Sequence, residues 1–129
     1  MIYVDTSALV KLVVPEAETA ALQVWIKSQE GETFFASQLT RIELVRTVAR
    51  AAPDRIDRAR EVLRGLALVR LDDEIVAAAE NLSPDILRSL DAIHLATAHS
   101  LRAHVSAFVT YDFRLAQAAK TLGLNVHSP

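Results

Sequence analysis

The sequence predicts an α/β fold in which a parallel sheet is covered by helices on both faces. Short apolar, β-prone runs alternate with longer segments of helical periodicity along the whole chain, which is the pattern of successive strand–helix–strand units. The chain has 129 residues, of which 51% are hydrophobic, and this is enough for a core without disulfides or structural zinc. No repeat or linker interrupts the pattern, so we expect a single domain over residues 1–129.

In the first half of the chain, cap and turn residues mark where each element begins and ends. Asp5, Thr6 and Ser7 follow a short strand and can cap the next helix, which Pro15 ends. Gly65 closes the last helix of this half. The predicted elements are a strand at 2–4, helices at 8–14 and 16–27, a strand at 33–36, and helices at 38–50 and 53–64.

The second half of the chain predicts three more strands. Asp72-Asp73-Glu74 favours a helix start, because acidic residues stabilise the positive end of a helix. Ser83-Pro84 opens another helical stretch, which runs to about Leu101 and allows a break near Ser89. The predicted elements are a strand at 66–71, helices from 72 and from 83, a strand at 107–109, a helix at 112–122 and a strand at 124–126.

The composition excludes several classes of protein. Zero cysteines exclude disulfides, thiolate zinc sites and cysteine nucleophiles. Fourteen basic residues against 16 acidic ones give a net charge of −2, which is not typical of a protein that binds nucleic acid by bulk charge alone. No apolar run approaches the roughly 20 residues of a membrane helix, and no basic leader precedes Asp5. We therefore expect a cytoplasmic protein without membrane association.

Acidic residues follow two of the predicted strands. Asp5 comes directly after the strand at 2–4, and Asp112 follows the strand at 107–109 after two intervening residues. The carboxyl ends of parallel strands share one edge of the sheet, and ligands bind outside that edge. We therefore expect both acids at the same edge, although each could instead be only a helix N-cap.

Two further acids lie inside predicted helices among apolar neighbours. These are Glu43, between Ile42 and Leu44, and Asp91 in the second half of the chain. A carboxylate on a core-facing helix surface is costly to bury unless it is paired or binds a metal, and either acid alone is more often a paired acid. Four acids from distant segments at one sheet edge, in a chain without cysteine, instead favour an all-oxygen site for Mg²⁺ or Mn²⁺. Such a site would activate water against a phosphodiester.

Four short motifs occur in order along nearly the whole chain. They are IYVDTSAL at residues 2–9, TRIEL at 40–44, LDAIHLATA at 90–98 and VTYD at 109–112. In order and spacing they resemble the motifs of the PIN-domain ribonucleases, and in particular the VapC toxins of type II toxin–antitoxin (VapBC) modules. Any one of the motifs alone is weak evidence for this resemblance, whereas the four motifs in this order are specific to the family.

The resemblance implies a fold and a reaction. The fold would be a three-layer α/β/α sandwich with a mostly parallel central sheet, and the activity an endoribonuclease that depends on Mg²⁺ or Mn²⁺. Asp5 and Asp91 would be the core metal ligands. Glu43 would bind directly or through water, and Asp112 would complete the site or position a second metal. By motif, the catalytic and metal-binding residues are therefore Asp5, Glu43, Asp91 and Asp112.

The same resemblance implies supporting residues and partners. The hydroxyls of Thr6 and Thr110 would orient the carboxylates, although Thr6 could equally be only a helix cap. A cognate VapB-type antitoxin would cover the active-site groove with its C-terminal segment, and RNA would be the substrate. The protein would form a homodimer, and a heterotetramer or larger assembly with the antitoxin.

Two other functions stay open at this point. A metal-dependent aspartyl-phosphate phosphatase would use Asp5 as its nucleophile, but that chemistry typically needs a second aspartate where this chain has Ser7. A non-catalytic module that works only by binding a regulatory partner would need none of the four acids. Substitution of Asp5 or Asp91 by Asn separates this last possibility from a nuclease.

Three residues beside the acids allow more than one interpretation. His94 follows Asp91 by three positions and so shares its helix face. It could be a metal ligand, but a hydrogen-bonded histidine is the more common case. Arg88 and Arg114 lie near Asp91 and Asp112 in sequence, and either could contact phosphate or orient a carboxylate.

Overall fold

The computed structural model describes residues 1–83 and 87–129, and its centre is a five-stranded sheet. The strands lie in the order β3-β2-β1-β4-β5, and every neighbouring pair is parallel. The parallel sheet expected from the sequence is therefore confirmed. The strands are β1 (Ile2–Val4), β2 (Phe34–Ser37), β3 (Ala67–Val69), β4 (Ala107–Val109) and β5 (Val126–His127).

Seven α-helices flank the strands in the described residues. They are α1 (Thr6–Val13), α2 (Thr19–Ser28), α3 (Leu39–Ala51), α4 (Ile56–Arg64), α5 (Asp73–Asn81), α6 (Ser89–Ser100) and α7 (Phe113–Thr121). Short 3₁₀ turns occupy Pro53–Arg55 and Arg102–His104. Within residues 1–83 and 87–129, none of the helices is both long enough and apolar enough to cross a membrane.

The sheet separates two apolar cores, because successive residues of a strand point to opposite faces. In β1, Ile2 and Val4 pack with residues of α1, α2, α3 and α4. Tyr3, between them, packs on the other face with Leu95 of α6 and Leu115 of α7. All five side chains are at most 2% exposed. Helices thus cover both faces, which confirms the three-layer α/β/α sandwich.

The helix α2 begins three residues later than predicted because a salt-bridged turn precedes it. Nζ of the buried Lys11 lies 2.6 Å from Glu16 Oε2 and 3.0 Å from Glu18 Oε2. Thr19 Oγ1 accepts a hydrogen bond from the Glu16 N–H and donates one to the Lys11 carbonyl, both at 2.8 Å. These contacts hold residues 16–18 in a turn, so the helix starts at Thr19.

Two elements of the second half also differ from the prediction. The last strand lies at Val126–His127 instead of 124–126, because Gly123 turns the chain with φ +79° and Leu124 then packs into the second core. The helix α6 starts at Ser89, where the sequence allowed only a break. The helix start predicted at Ser83-Pro84 falls on residues 84–86, which lie outside the described residues.

The strand order determines where the functional edge of the sheet lies. From the central β1, the chain adds β2 and β3 on one side and β4 and β5 on the other. The direction of the crossovers therefore changes between β1 and β4, and in α/β sheets this is where ligands bind. Asp5 directly follows β1, and Thr110 directly follows β4.

Candidate active site

Asp5 is a buried carboxylate held by three hydrogen-bond donors. Its Oδ1 accepts from the Ser7 hydroxyl at 2.7 Å and from the Ala8 N–H at 3.1 Å, which makes Asp5 the N-cap of α1. Its Oδ2 accepts from the Thr110 hydroxyl at 2.8 Å. Burial raises the pKa of the Asp5 carboxyl, although the three hydrogen bonds oppose that rise. The cap proposed from the sequence is therefore real, but the residue also faces the edge of the sheet beside β4.

Thr110 connects Asp5 to the segment that carries Asp112. Its Oγ1, which donates to Asp5, also accepts from the Asp112 N–H at 3.0 Å. Ser7 Oγ ties the same two segments together by accepting from the Tyr111 N–H at 2.8 Å. The exposed side chain of Asp112 caps α7 by accepting from the Leu115 N–H at 2.9 Å. The carboxyl ends of β1 and β4 are thus joined through hydroxyl groups.

Glu43 reaches the same edge from α3. Its Oε1 accepts from the Thr6 hydroxyl at 2.7 Å and lies 2.7 Å from Nε2 of His94. Burial alone would raise the pKa of the Glu43 carboxyl, but the hydrogen bond and the charge of His94, together with Thr6, bring it below its usual value. Thr6 therefore orients a carboxylate, and it does so next to Asp5.

His94 lies inside the second core and links Glu43 to the central strand. Its Nδ1 is 2.6 Å from the hydroxyl of Tyr3, whose oxygen accepts from the Ser37 N–H at 3.3 Å. When the imidazole is neutral, Tyr3 can donate its hydroxyl hydrogen to Nδ1 while its oxygen accepts from Ser37. The hydrogen of the neutral imidazole is then on Nε2, facing Glu43. In this structure His94 is a hydrogen-bonded interior residue, 3% exposed.

Asp91 approaches from α6, one helical turn before His94. It is half-buried, and it lines an open depression of about 260 Å³ together with Asp112. The remaining walls of this depression are Arg88, Phe113 and Arg114. Asp91 and Asp112 therefore share one cavity, and the two arginines considered from the sequence border it.

The four acids border one edge of the sheet, but they do not form a closed cluster. In the part of the chain that the structure describes, no three His, Asp or Glu side chains converge closely enough to hold a metal ion. Glu43 accepts from the Thr6 hydroxyl and Asp5 from the Thr110 hydroxyl, while Asp91 and Asp112 face a common depression. Such separation is expected of carboxylates, since like charges at close range repel each other.

Two residues of this network do not stand out in the sequence. Tyr3 sits inside an apolar strand, and Ser7 passes as an ordinary helix-cap residue. The signal for Tyr3 would have been a hydroxyl in a strand whose neighbours are all apolar, since a buried hydroxyl needs a partner. The corresponding signal for Ser7 would have been the position of this hydroxyl two residues after Asp5, a carboxylate expected at the sheet edge.

A larger groove lies away from these acids. It has a volume of about 570 Å³, runs between α3 and α4, and is bordered by Arg41, Arg46, Arg60 and Arg64. None of the four candidate acids lines it. Although this groove is larger than the depression beside Asp91, we do not assign the active site to it, because the candidate acids lie elsewhere.

His94→Ala should destabilise the protein by about 2–4 kcal/mol, because it leaves the buried Tyr3 hydroxyl without its acceptor and opens a cavity. His94→Gln should lower the free energy of unfolding by clearly less than His94→Ala does, since an amide can accept from Tyr3 and donate to Glu43. Urea denaturation of both variants measures the difference. Equal losses for the two would mean that His94 contributes by its volume alone.

Comparison with known proteins places the chain among PIN domains. Residues 2–121 match the family described as the PIN domain. Ribonuclease VapC47 of Mycobacterium tuberculosis (strain CDC 1551 / Oshkosh) is 46% identical over 132 residues, covering 100% of this chain and 97% of the relative. Ribonuclease VapC46 of M. tuberculosis (strain H37Rv) is 40% identical over 128 residues, covering 99% and 97%.

Solved structures agree in fold. The crystal structure of M. tuberculosis VapC20, a sarcin–ricin loop cleaving toxin, superposes with a TM-score of 0.72 at 16% identity over 92% of this chain and 95% of that one. FitAcB from Neisseria gonorrhoeae gives a TM-score of 0.71 at 20% identity, over 100% and 98%. Together with the family match and the relatives at 40–46% identity, these similarities lead to one conclusion. The chain belongs to the PIN-domain family, and its relatives are VapC ribonucleases.

Proposed function

We propose that this protein is a VapC-type endoribonuclease that hydrolyses RNA phosphodiester bonds with Mg²⁺ or Mn²⁺, as the toxin of a toxin–antitoxin module. One observation carries the proposal: Asp5, Glu43, Asp91 and Asp112 border the same sheet edge of a PIN domain. The reaction is supported by the relatives at 40–46% identity, which are named ribonucleases.

The donor set fits a hard divalent cation. All four side chains offer only oxygen, which Mg²⁺ and Mn²⁺ prefer. Thr6 and His94 both reach Oε1 of Glu43, which leaves Oε2 available to a ligand. In the same way, the Leu115 N–H donates to Oδ1 of Asp112, which leaves Oδ2 of Asp112 available to a ligand. When bound, the cation would lower the pKa of a water molecule and neutralise charge on the phosphate.

The protein's own residues would orient the acids and accept protons. Ser7 and Thr110 fix both oxygens of Asp5, and Thr6 and His94 fix Glu43. Whichever of Glu43 and Asp112 is not engaged as a ligand would accept the proton of the attacking water. The depression beside Asp91 is open to solvent, so the RNA backbone can enter it.

An antitoxin is the expected partner. Structures similar to this chain include a toxin–antitoxin complex from Klebsiella pneumoniae, with a TM-score of 0.68 at 23% identity, and FitAB bound to a DNA fragment, with a TM-score of 0.66. We propose a VapB-type antitoxin for this chain, a homodimer of the toxin, and a heterotetramer or larger complex of the two. Residues 1–129 would act as one domain in the cytoplasm.

The position and hydrogen bonds of Ser7 argue against the aspartyl-phosphate phosphatase alternative. This residue occupies the position where a second aspartate is needed, and its hydroxyl is already bonded to Asp5 Oδ1 and to the Tyr111 N–H. Ser7 therefore acts as a structural donor here and has no free role in proton transfer. A ribonuclease needs no acid at this position.

The direct test is cleavage of total cellular RNA by the purified protein with added Mg²⁺ or Mn²⁺. We expect discrete fragments, their loss in EDTA, and their return when the metal is restored in excess. Asp91→Asn should give no fragments under any of these conditions. Cleavage that continues unchanged in EDTA, or in the Asp91→Asn protein, would contradict the proposal.

A further inference from the structure

Phe113 is an aromatic side chain that the fold leaves in solvent at the candidate active site. It is the first residue of α7 and directly follows Asp112. Its exposed fraction is 76%, the highest among the large hydrophobic side chains of the described residues. By contrast, Phe35 and Phe108 are fully buried. Leaving most of this side chain in solvent forgoes most of the hydrophobic gain of burial, and the ring lies beside two of the candidate catalytic acids.

The ring of Phe113 stands between two open depressions. On one side is the 260 Å³ depression lined by Asp91, Asp112 and Arg114. On the other is a depression of about 330 Å³ whose lining includes Gln117 and Lys120. Both are on the scale of a single nucleotide. A flat group that enters either depression would therefore meet the phenyl ring next to the candidate catalytic acids.

We propose that Phe113 is a stacking platform for one unpaired base of the RNA substrate, adjacent to the phosphate that is cleaved, and that Arg114 contacts the backbone beside it. This inference rests on the proposed ribonuclease function. Single-stranded RNA is commonly recognised by stacking of splayed-out bases on aromatic side chains. The substrate class is then a loop or single-stranded segment, since the bases of a continuous duplex are already stacked on one another.

The surroundings of Phe113 favour RNA over a protein partner. Protein interfaces are marked by contiguous apolar patches, whereas the residues next to Phe113 in the chain, Asp112 and Arg114, are charged and exposed. Arg88 and Lys120 add further positive charge to the two depressions. An exposed aromatic ring with arginine and lysine side chains beside it suits a base and its phosphates.

The test compares Phe113→Leu, which removes the aromatic face, with Phe113→Trp, which keeps it. With a short single-stranded RNA that carries the mapped cleavage site, Phe113→Leu should lower kcat/KM by about 5- to 150-fold, the range expected for one base–aromatic stack. Phe113→Trp should stay within about threefold of wild type on the same scale. Val24→Ala, at a side chain that is 70% exposed and lines neither depression, is the matched control and should have no effect.

A spectroscopic measurement tests the contact itself. In a Trp25→Phe background, the single indole of Phe113→Trp should lose fluorescence when the RNA binds, and the indole of Val24→Trp should not. Arg114→Gln should weaken RNA binding and make its dependence on salt less steep, as expected for the loss of one phosphate contact.

The outcomes separate this inference from the proposed function. If the wild type does not cleave RNA, the proposed function fails. If the wild type cleaves RNA and Phe113→Leu is equally active, only the stacking inference is overturned. It is also overturned if Phe113→Leu leaves cleavage and RNA binding intact but weakens binding of the antitoxin or self-association in sedimentation, since Phe113 would then belong to a protein interface.

Discussion

Asp5→Asn should abolish RNA cleavage while the protein remains folded, with a free energy of unfolding at pH 7 in EDTA equal to or above that of the wild type. Asn has the same shape and can still accept from Ser7 and Ala8, but it is a much poorer ligand for a hard cation. Since loss of a residue that only supports a ligand costs 10–100-fold in activity, loss of the ligand itself should cost at least about 100-fold. Fragment yield and urea denaturation measure the two effects.

The pH dependence of stability gives this prediction a second readout. Burial raises the pKa of the Asp5 carboxyl, so the folded state favours the protonated group. Its contribution to stability therefore increases as the pH falls through the raised folded-state pKa towards the unfolded value of about 3.9. Any stability advantage of Asp5→Asn in EDTA should shrink over that range. An Asp5→Asn protein that is unfolded, or that cleaves RNA normally, would contradict the assignment.

Asp112→Asn should reduce cleavage by at least about 10-fold, whereas Asp72→Asn should leave it unchanged. The two residues form a matched pair, because each caps a helix by accepting from the N–H three residues later at 2.9 Å. Asn is about as good a helix N-cap as Asp. The free energy of unfolding of both variants should therefore lie within about 0.5 kcal/mol of the wild-type value. Single-turnover cleavage and urea denaturation of the two proteins measure the effects.

This pair separates capping from catalysis. Equal activity in the two variants would mean that Asp112 is only a helix cap, which is the simpler interpretation of its position in the sequence. Loss of activity in both would indicate that weakened capping disturbs the fold at a distance. Only loss in Asp112→Asn alone supports a role for this carboxylate at the site.

The fold and the positions of the acids were predictable because they depend on local patterns. Asp5 follows β1 directly and Asp112 follows β4 closely, so a parallel sheet alone places both at one edge. For Glu43, an acid among apolar helix residues correctly indicated a partly buried carboxylate. The assignment of all four acids to a metal site came first from their expected positions at one sheet edge and then from motif resemblance, and it stays a prediction.

Contacts between distant segments could not be predicted in the same way. The link from Tyr3 to His94 joins residues 91 positions apart, and it exists only because α6 packs over β1. The late start of α2 depends on where the Lys11 ammonium finds its acidic partners. Likewise, Phe113 opens an ordinary amphipathic helix in the sequence, and only the packing of α7 shows that its ring is left in solvent.

Mn²⁺ binding, measured by calorimetric titration without RNA, tests the proposed metal site directly. We expect the wild type to bind Mn²⁺, Asp5→Asn and Asp91→Asn each to weaken binding by at least about 10-fold, and Glu43→Gln and Asp112→Asn to weaken it to a smaller extent. Asp72→Asn should bind as the wild type does. If all four substitutions at the site leave Mn²⁺ affinity unchanged, these carboxylates do not form a metal site, and a metal-dependent reaction at this edge of the sheet is ruled out.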